Sequence, residues 1–105
     1  MTMWPYTVFS AFACGEHVPT ATATQLAAVP CLYVRFKAAA ANTGKIYIGF
    51  SSAVTATNGT TDTTSGLELN AKEDTGFIPV KNLNVFWAIG TVASDSLTYW
   101  ALGVA

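Results

Sequence analysis

Apolar and polar residues alternate with a period of two along most of the chain, and no stretch shows a helical period. In residues 31–37, Leu32, Val34 and Phe36 share one side while Tyr33, Arg35 and Lys37 share the other, as in a half-buried strand. Residues 45–50 repeat the pattern, with Ile46, Ile48 and Phe50 expected inward and Lys45, Tyr47 and Gly49 outward. Asn42-Thr43-Gly44 supplies turn chemistry between them, which predicts a hairpin. Residues 38–41 are four alanines, too short a run to nucleate a helix in water. Asn58-Gly59 predicts a tight turn, because both residues tolerate positive φ, and residues 60–66 read as a polar loop.

Residues 67–69 alternate as a short strand and residues 70–76 read as a charged turn. Pro79 confines residues 77–80 to a sheet edge or to the start of a strand. Residues 84–91 are apolar on both sides (Val85, Trp87 and Ile89 against Phe86 and Ala88), which suits a central strand. In 97–104, Tyr99 opposes Trp100 and Leu102; in 6–13, Tyr6, Val8, Ser10 and Phe12 oppose Thr7, Phe9, Ala11 and Ala13. With a short strand at 23–28 ended by Pro30, the count is seven to nine short strands. Turn signals every eight to twelve residues predict an all-β fold, a single antiparallel β-sandwich or small jelly roll with an extended N-terminal arm. No connection has room for a crossover helix, so a βαβ arrangement is excluded. The expected division is 1–19 as N-terminal arm or first strand and 20–105 as the sandwich domain.

At 105 residues the chain holds one domain with one real core. Hydrophobic residues make up 51% and charged residues 10%, less than half the usual quarter. A small monomer normally carries more charge than this to stay soluble, so the surplus apolar residues point to subunit interfaces and a homo-oligomer. With 5 Lys and Arg against 6 Asp and Glu, net charge −1, a nucleic-acid partner is not expected, because phosphate tracking needs clustered cations. Gly, Pro, Thr and Asn interrupt every apolar stretch before the ~18 residues of a membrane span, so no membrane is expected either. Residues 1–14 have an apolar middle but lack the positive start of a signal peptide, and Pro5 and the aromatics interrupt a short helix.

Reactive chemistry is sparse. His17 is the only histidine, three residues from Cys14, and a Cys/His nucleophile pair there lacks a third orienting group. A solvated loop histidine is the better reading. Cys14 and Cys31 read as two free buried thiols acting as small hydrophobes, although a bridge between them is sterically possible. Glu73 and Asp74 with Asp62 or Asp95 lack the spacing of a calcium loop and read as solvated turn carboxylates. Glu68, Glu73 and Asp74 form no recognisable glycosidase pair. Serines 51, 52, 65, 94 and 96 all fall in turns, none at a strand-to-helix elbow. Asn58-Gly59-Thr60 matches a glycosylation sequon, which its turn role accounts for. No catalytic, cofactor-binding or metal residue is therefore assigned, and an enzyme is not expected. The remaining candidates are aromatic: Trp4, Tyr6, Phe9, Phe12, Tyr33, Tyr47 and Tyr99 as interface residues, of which the Trp and Tyr residues would also suit a sugar-binding platform.

Thr24-Gln-Leu-Ala-Ala-Val-Pro-Cys31, Leu32-Tyr-Val-Arg-Phe36, Asn42-Thr-Gly-Lys-Ile-Tyr-Ile-Gly49, Ala56-Thr-Asn-Gly59 and Asn82-Leu-Asn-Val-Phe-Trp-Ala-Ile-Gly90 follow one another in order. In the order and spacing of these blocks, residues 22–91 resemble small β-sandwich virion proteins of tailed bacteriophages. The first nineteen residues lie outside that likeness, and residues 60–75 are longer and richer in Thr than its pattern. The resemblance implies a capsid decoration (cementing) subunit, assembled as a symmetric oligomer on the phage major capsid protein. A tail adaptor or fibre accessory protein, bound to a tail protein, is the alternative within that class. Either implies a place in the virion, assembled in the host bacterial cytoplasm, with no cofactor. A carbohydrate-binding β-sandwich module is the alternative from a different class.

Overall fold

A computed structural model describes the backbone of residues 9–56 and 66–104 and the side chains of residues 13–56 and 66–103. Among the described residues eight strands follow in order: β1 (Phe9–His17), β2 (Thr24–Gln25), β3 (Tyr33–Ala38), β4 (Ile46–Gly49), β5 (Leu67–Leu69), β6 (Asp74–Pro79), β7 (Trp87–Gly90) and β8 (Leu97–Val104). One turn of 3₁₀ helix, Leu83–Val85, precedes β7. The strands form two four-stranded antiparallel sheets, ordered β1-β8-β3-β6 and β2-β7-β4-β5. We call them the first and the second sheet. First pairs with last inward along the chain: β1 with β8, β2 with β7, β3 with β6, β4 with β5. That is one long hairpin rolled over itself, the jelly-roll arrangement. The all-β sandwich expected from the alternation is thus what the chain forms.

The hairpin expected from Asn42-Thr43-Gly44 does not form. Strand β3 pairs with β6 and β8, whereas β4 pairs with β5 and β7, so residues 39–45 cross between the sheets. The physical reason lies in the β7–β8 turn. Asp95 is 2% exposed, and its two carboxylate oxygens accept the backbone N–H groups of Thr43 at 3.0 Å and Gly44 at 2.7 Å. Asn42 and Ser96 exchange a further pair of bonds, both 2.9 Å. A Cβ on Gly44 would stand 2.4 Å from Thr91 Oγ1 and 2.6 Å from Val92 Cγ2, so only glycine lets the two loops approach this closely. Local turn propensity is thereby overridden by a contact about fifty residues away in sequence.

The core lies between the sheets. Val34, Phe36, Ala38 and Leu97 of the first sheet and Ile46, Ile48, Leu69 and Ala88 of the second join Leu26, Leu83 and Phe86 in one buried cluster. Phe36 and Phe86 meet edge to face, with ring centroids 5.0 Å apart, the offset geometry that ring quadrupoles favour. On the outer side of the second sheet, Val54 is buried over Gly49, where a Cβ would lie 2.6 Å from Val54 Cγ2. Gly49→Ala is expected to cost about 1–3 kcal/mol through this overlap, read as a lower midpoint in urea unfolding.

The alternation predicted most of the core, with several departures. Phe50, expected inward with Ile46 and Ile48, is 75% exposed, and Leu32, on the side of Val34 and Phe36, is 42% exposed, because both lie just beyond the ends of their strands. The strand expected over 84–91 begins at Trp87, after the 3₁₀ turn. Tyr47 is not outward and open; it is 3% exposed, between Ile46 and Ile48, which are also buried. Strand β6 begins at Asp74, inside the stretch expected as a charged turn. Of the 1–19 segment expected as arm or first strand, residues 9–17 are β1, paired with β8 and carrying a bulge between Ala11 and Ala13. The Asn58-Gly59 turn and sequon, Asp62, Ser65 and the candidate residues Trp4 and Tyr6 lie outside the described residues.

Candidate functional site

Three features stand out among the described residues: an apolar end of the sandwich, an uncovered face of the first sheet, and a network of carboxylates on the second. The end patch is built by the inward-facing parity running past the end of β4. Phe50 continues the row of Ile46 and Ile48 and stacks on Phe86 at 5.3 Å, yet it is 75% exposed, the most open large apolar side chain described. Leu67, paired in register with Ile48, is 57% exposed, and Val85, adjoining Phe86, is also exposed. Core-type side chains therefore emerge into solvent at one end of the inter-sheet layer.

The outer face of the first sheet is of mixed character. Register places Phe77 (β6), Arg35 (β3), Trp100 (β8) and Cys14 (β1) in one cross-strand row. The next row holds Asp74, Lys37, Thr98 and Glu16. Trp100 is 55% exposed and Phe77 46%. The Arg35 guanidinium pairs with Asp74 at 2.8 Å and lies 5.7 Å from the Phe77 ring centre. A shallow groove of about 300 Å³ runs along Arg35, Lys37, Thr98, Tyr99 and Trp100.

On the second sheet, the buried Tyr47 hydroxyl donates to Glu68 Oε2 at 2.8 Å, and Lys45 Nζ approaches the same oxygen at 3.4 Å. Glu73 Oε1 accepts from Asn70 N at 2.7 Å. The Tyr47 hydrogen bond, aided by the Lys45 charge, holds the Glu68 carboxyl below its ordinary range. The bond from the Asn70 amide lowers Glu73, and the bond from Arg35 lowers Asp74. Burial, with Glu68 beside it, pushes Tyr47 up. Folded-state values below the unfolded ones add stability that is complete above the unfolded carboxylate range and is lost as pH falls through the folded values.

His17 adds an earlier step on the acid side. Its Nε2 lies 2.8 Å from the Thr24 hydroxyl, which itself donates to the Ala88 carbonyl, and burial lowers its pKa from 6.5. The unfolded chain therefore takes up a proton first as pH falls below about 6.5. Urea midpoints are expected to fall first below about pH 6.5 and again below about pH 4. Glu68→Gln should blunt only the second fall; an unchanged second fall would mean that the Tyr47–Glu68 bond does not discriminate the charged form.

The structure sorts the candidate residues. Tyr33 and Tyr99 are half-buried, and Tyr99 is packed against the core. Tyr47 is a correction: buried and bonded to Glu68, it offers no open platform. The backbones of Phe9 and Phe12 lie in β1, while their side chains are outside the description. His17 is the last residue of β1 rather than a loop residue, on the side of the strand opposite Cys14. The two cannot form a nucleophile pair. Both cysteines are free and Cys31 is buried as expected, but Cys14 is a correction: it stands beside Trp100 on the outer face of the first sheet and is exposed. Asp95 is a further correction, since it is a buried acceptor with both oxygens hydrogen-bonded and not a solvated turn carboxylate. Among the described residues, no three of His, Cys, Asp and Glu converge as metal ligands.

Trp100, Phe77 and Phe50 were not singled out by sequence reasoning. Trp100 was readable in principle, because it shares parity with Thr98 and opposes Leu97 and Ala101, which marks its side as the wet one. The fold and these surfaces define the chain as a small jelly roll with an exposed apolar end and an amphipathic sheet groove. Compared with protein-family models, with curated proteins and with solved structures, the chain matches none.

Proposed function

We propose that the chain is a structural subunit of a bacteriophage virion, a decoration (cementing) protein that binds the assembled shell as a homo-oligomer and stabilises it. The observation that carries this reading is the sandwich end where Phe50, Leu67 and Val85 are exposed beside the core residue Phe86. Bringing such side chains into contact with a neighbour releases water at about 25 cal/mol per Å² of apolar surface, less the cost of association. The ordered resemblance of residues 22–91 to small phage virion proteins supplies the biological setting. A cementing role asks for a stiff body and contact area, and a closed two-sheet core with interlocked loops suits it. Opposing outward pressure on a shell needs no bond to be made or broken.

The partner in this reading is the phage major capsid protein together with neighbouring copies of the chain. Antibody raised against the purified chain should label the heads of virions of the phage that encodes it. Label confined to the tail would instead support an adaptor or fibre role, and unlabelled virions would contradict the proposal.

A further inference from the structure

We propose that the groove on the outer face of the first sheet binds an acidic sugar, a pyranose carrying one carboxylate. The inference stands on the groove itself and does not need the virion reading. Trp100 supplies a flat apolar surface, 55% exposed, at one side of the groove. Directly across the strand pair stands Arg35, and Lys37 follows two residues on, opposite Thr98.

The donors are already arranged. Arg35 is held by Asp74 at 2.8 Å and lies over Phe77, so its orientation is fixed before a ligand arrives. One of its five N–H groups is used by Asp74, and the others remain for a planar carboxylate. The Thr98 hydroxyl donates to the Lys37 carbonyl at 3.0 Å, which leaves its lone pairs free to accept from a sugar hydroxyl.

Charge placement selects the ligand class. Along the row Asp74–Lys37–Thr98–Glu16 the cation lies inside and a carboxylate lies at either end. A polyphosphate chain crossing this row would meet repulsion at both ends. A ring with a single central negative charge and peripheral hydroxyls meets complementary groups throughout, because flanking carboxylates accept hydroxyl donors. Size agrees as well. A groove of about 300 Å³ lies at the lower bound of small-ligand sites. Four strands ~4.8 Å apart give a face on the order of 400 Å², about half of what each partner in a standard protein interface buries. The face alone is too small for a stable second copy.

The test is a ¹H–¹⁵N titration of the full chain with D-glucuronate and with N-acetylneuraminate, using D-glucose as the uncharged control. At least one of the two acids is expected to shift the signals of Arg35, Lys37, Thr98 and Trp100, with a Kd of about 1 mM that weakens as salt is added. Glucose should bind at least about tenfold more weakly. Trp100→Ala should lose the response to every sugar, whereas Lys37→Gln should lose mainly the preference for the acids. Both positions are exposed, so a dispersed spectrum is expected for each variant; if Trp100→Ala fails to fold, Lys37→Gln still decides. Silence with both acids, or an equal response to glucose, overturns the proposal. Tighter binding of oligothymidylate than of either acid would reassign the groove to nucleobase stacking. The same shifts on raising protein concentration alone would give the face to a second copy, and the sugar site would again be wrong.

Discussion

Asp95→Ala is expected to cost about 3–4 kcal/mol of folding stability, because it removes the buried carboxylate that accepts the backbone N–H groups of both Thr43 and Gly44. The carboxylate receives Thr43 N and Gly44 N at 3.0 and 2.7 Å from 2% exposure. For a domain of this size the loss corresponds to a melting temperature lower by roughly 15 °C or more. Asp95→Asn keeps one acceptor but turns an amide N–H toward a backbone donor, so an intermediate loss of about 2 kcal/mol is expected. The crossing is the point where the chain leaves one sheet for the other, so the damage should be global and cooperative. Thermal unfolding followed by circular dichroism reads the effect. A change within about 0.5 kcal/mol, as at an ordinary surface site, would show that the two loops are held by Asn42, Ser96 and their backbone bonds alone.

Phe50→Asp is expected to do the opposite: leave the fold and remove association. At 75% exposure the ring has little burial to lose, and its contact with Phe86 at 5.3 Å is worth about 0.5–1.5 kcal/mol. A buried aromatic at the centre of a protein contact carries about 2 kcal/mol or more. Putting a carboxylate there adds the cost of desolvating a charge. Self-association should weaken by at least about thirtyfold, with the melting temperature changed by only a few degrees. Equal loss of both would mean that Phe50 acts as a core residue and not as a contact. Leu67→Asp, on the neighbouring edge strand, should give the same split.

These two residues also mark how far the sequence could be read. Alternation in 31–37 identified the strand and its buried Val34 and Phe36, because a half-buried sheet imposes its period on the residues. In 97–104 it identified the strand but took Tyr99's side as the open one, whereas Leu97 and Ala101 on that side are buried and Trp100 is exposed. It could not tell which strands pair. Asn42-Thr43-Gly44 looked like a hairpin turn, since the competing partner, Asp95, is remote in sequence and invisible to local chemistry. Parity says that Ile48 and Phe50 share a side, but not that β4 ends at Gly49, leaving one buried and the other open. Tyr47 failed for the complementary reason. An outward position was read as a wet one, yet the outer side of the second sheet has its own polar partner in Glu68. The groove was half legible: Arg35 and Lys37 were placed outward correctly, but their meeting with Trp100 depends on the β3–β8 register.

The most direct test of the account is the native mass of the purified full chain across a concentration series, by light scattering, beside Phe50→Asp. The apolar sandwich end predicts a discrete oligomer for the wild-type chain and, for the variant, a folded monomer whose melting temperature differs by only a few degrees at concentrations where both are monomeric. A wild-type chain that stays monomeric at every concentration, indistinguishable from the variant, would contradict it.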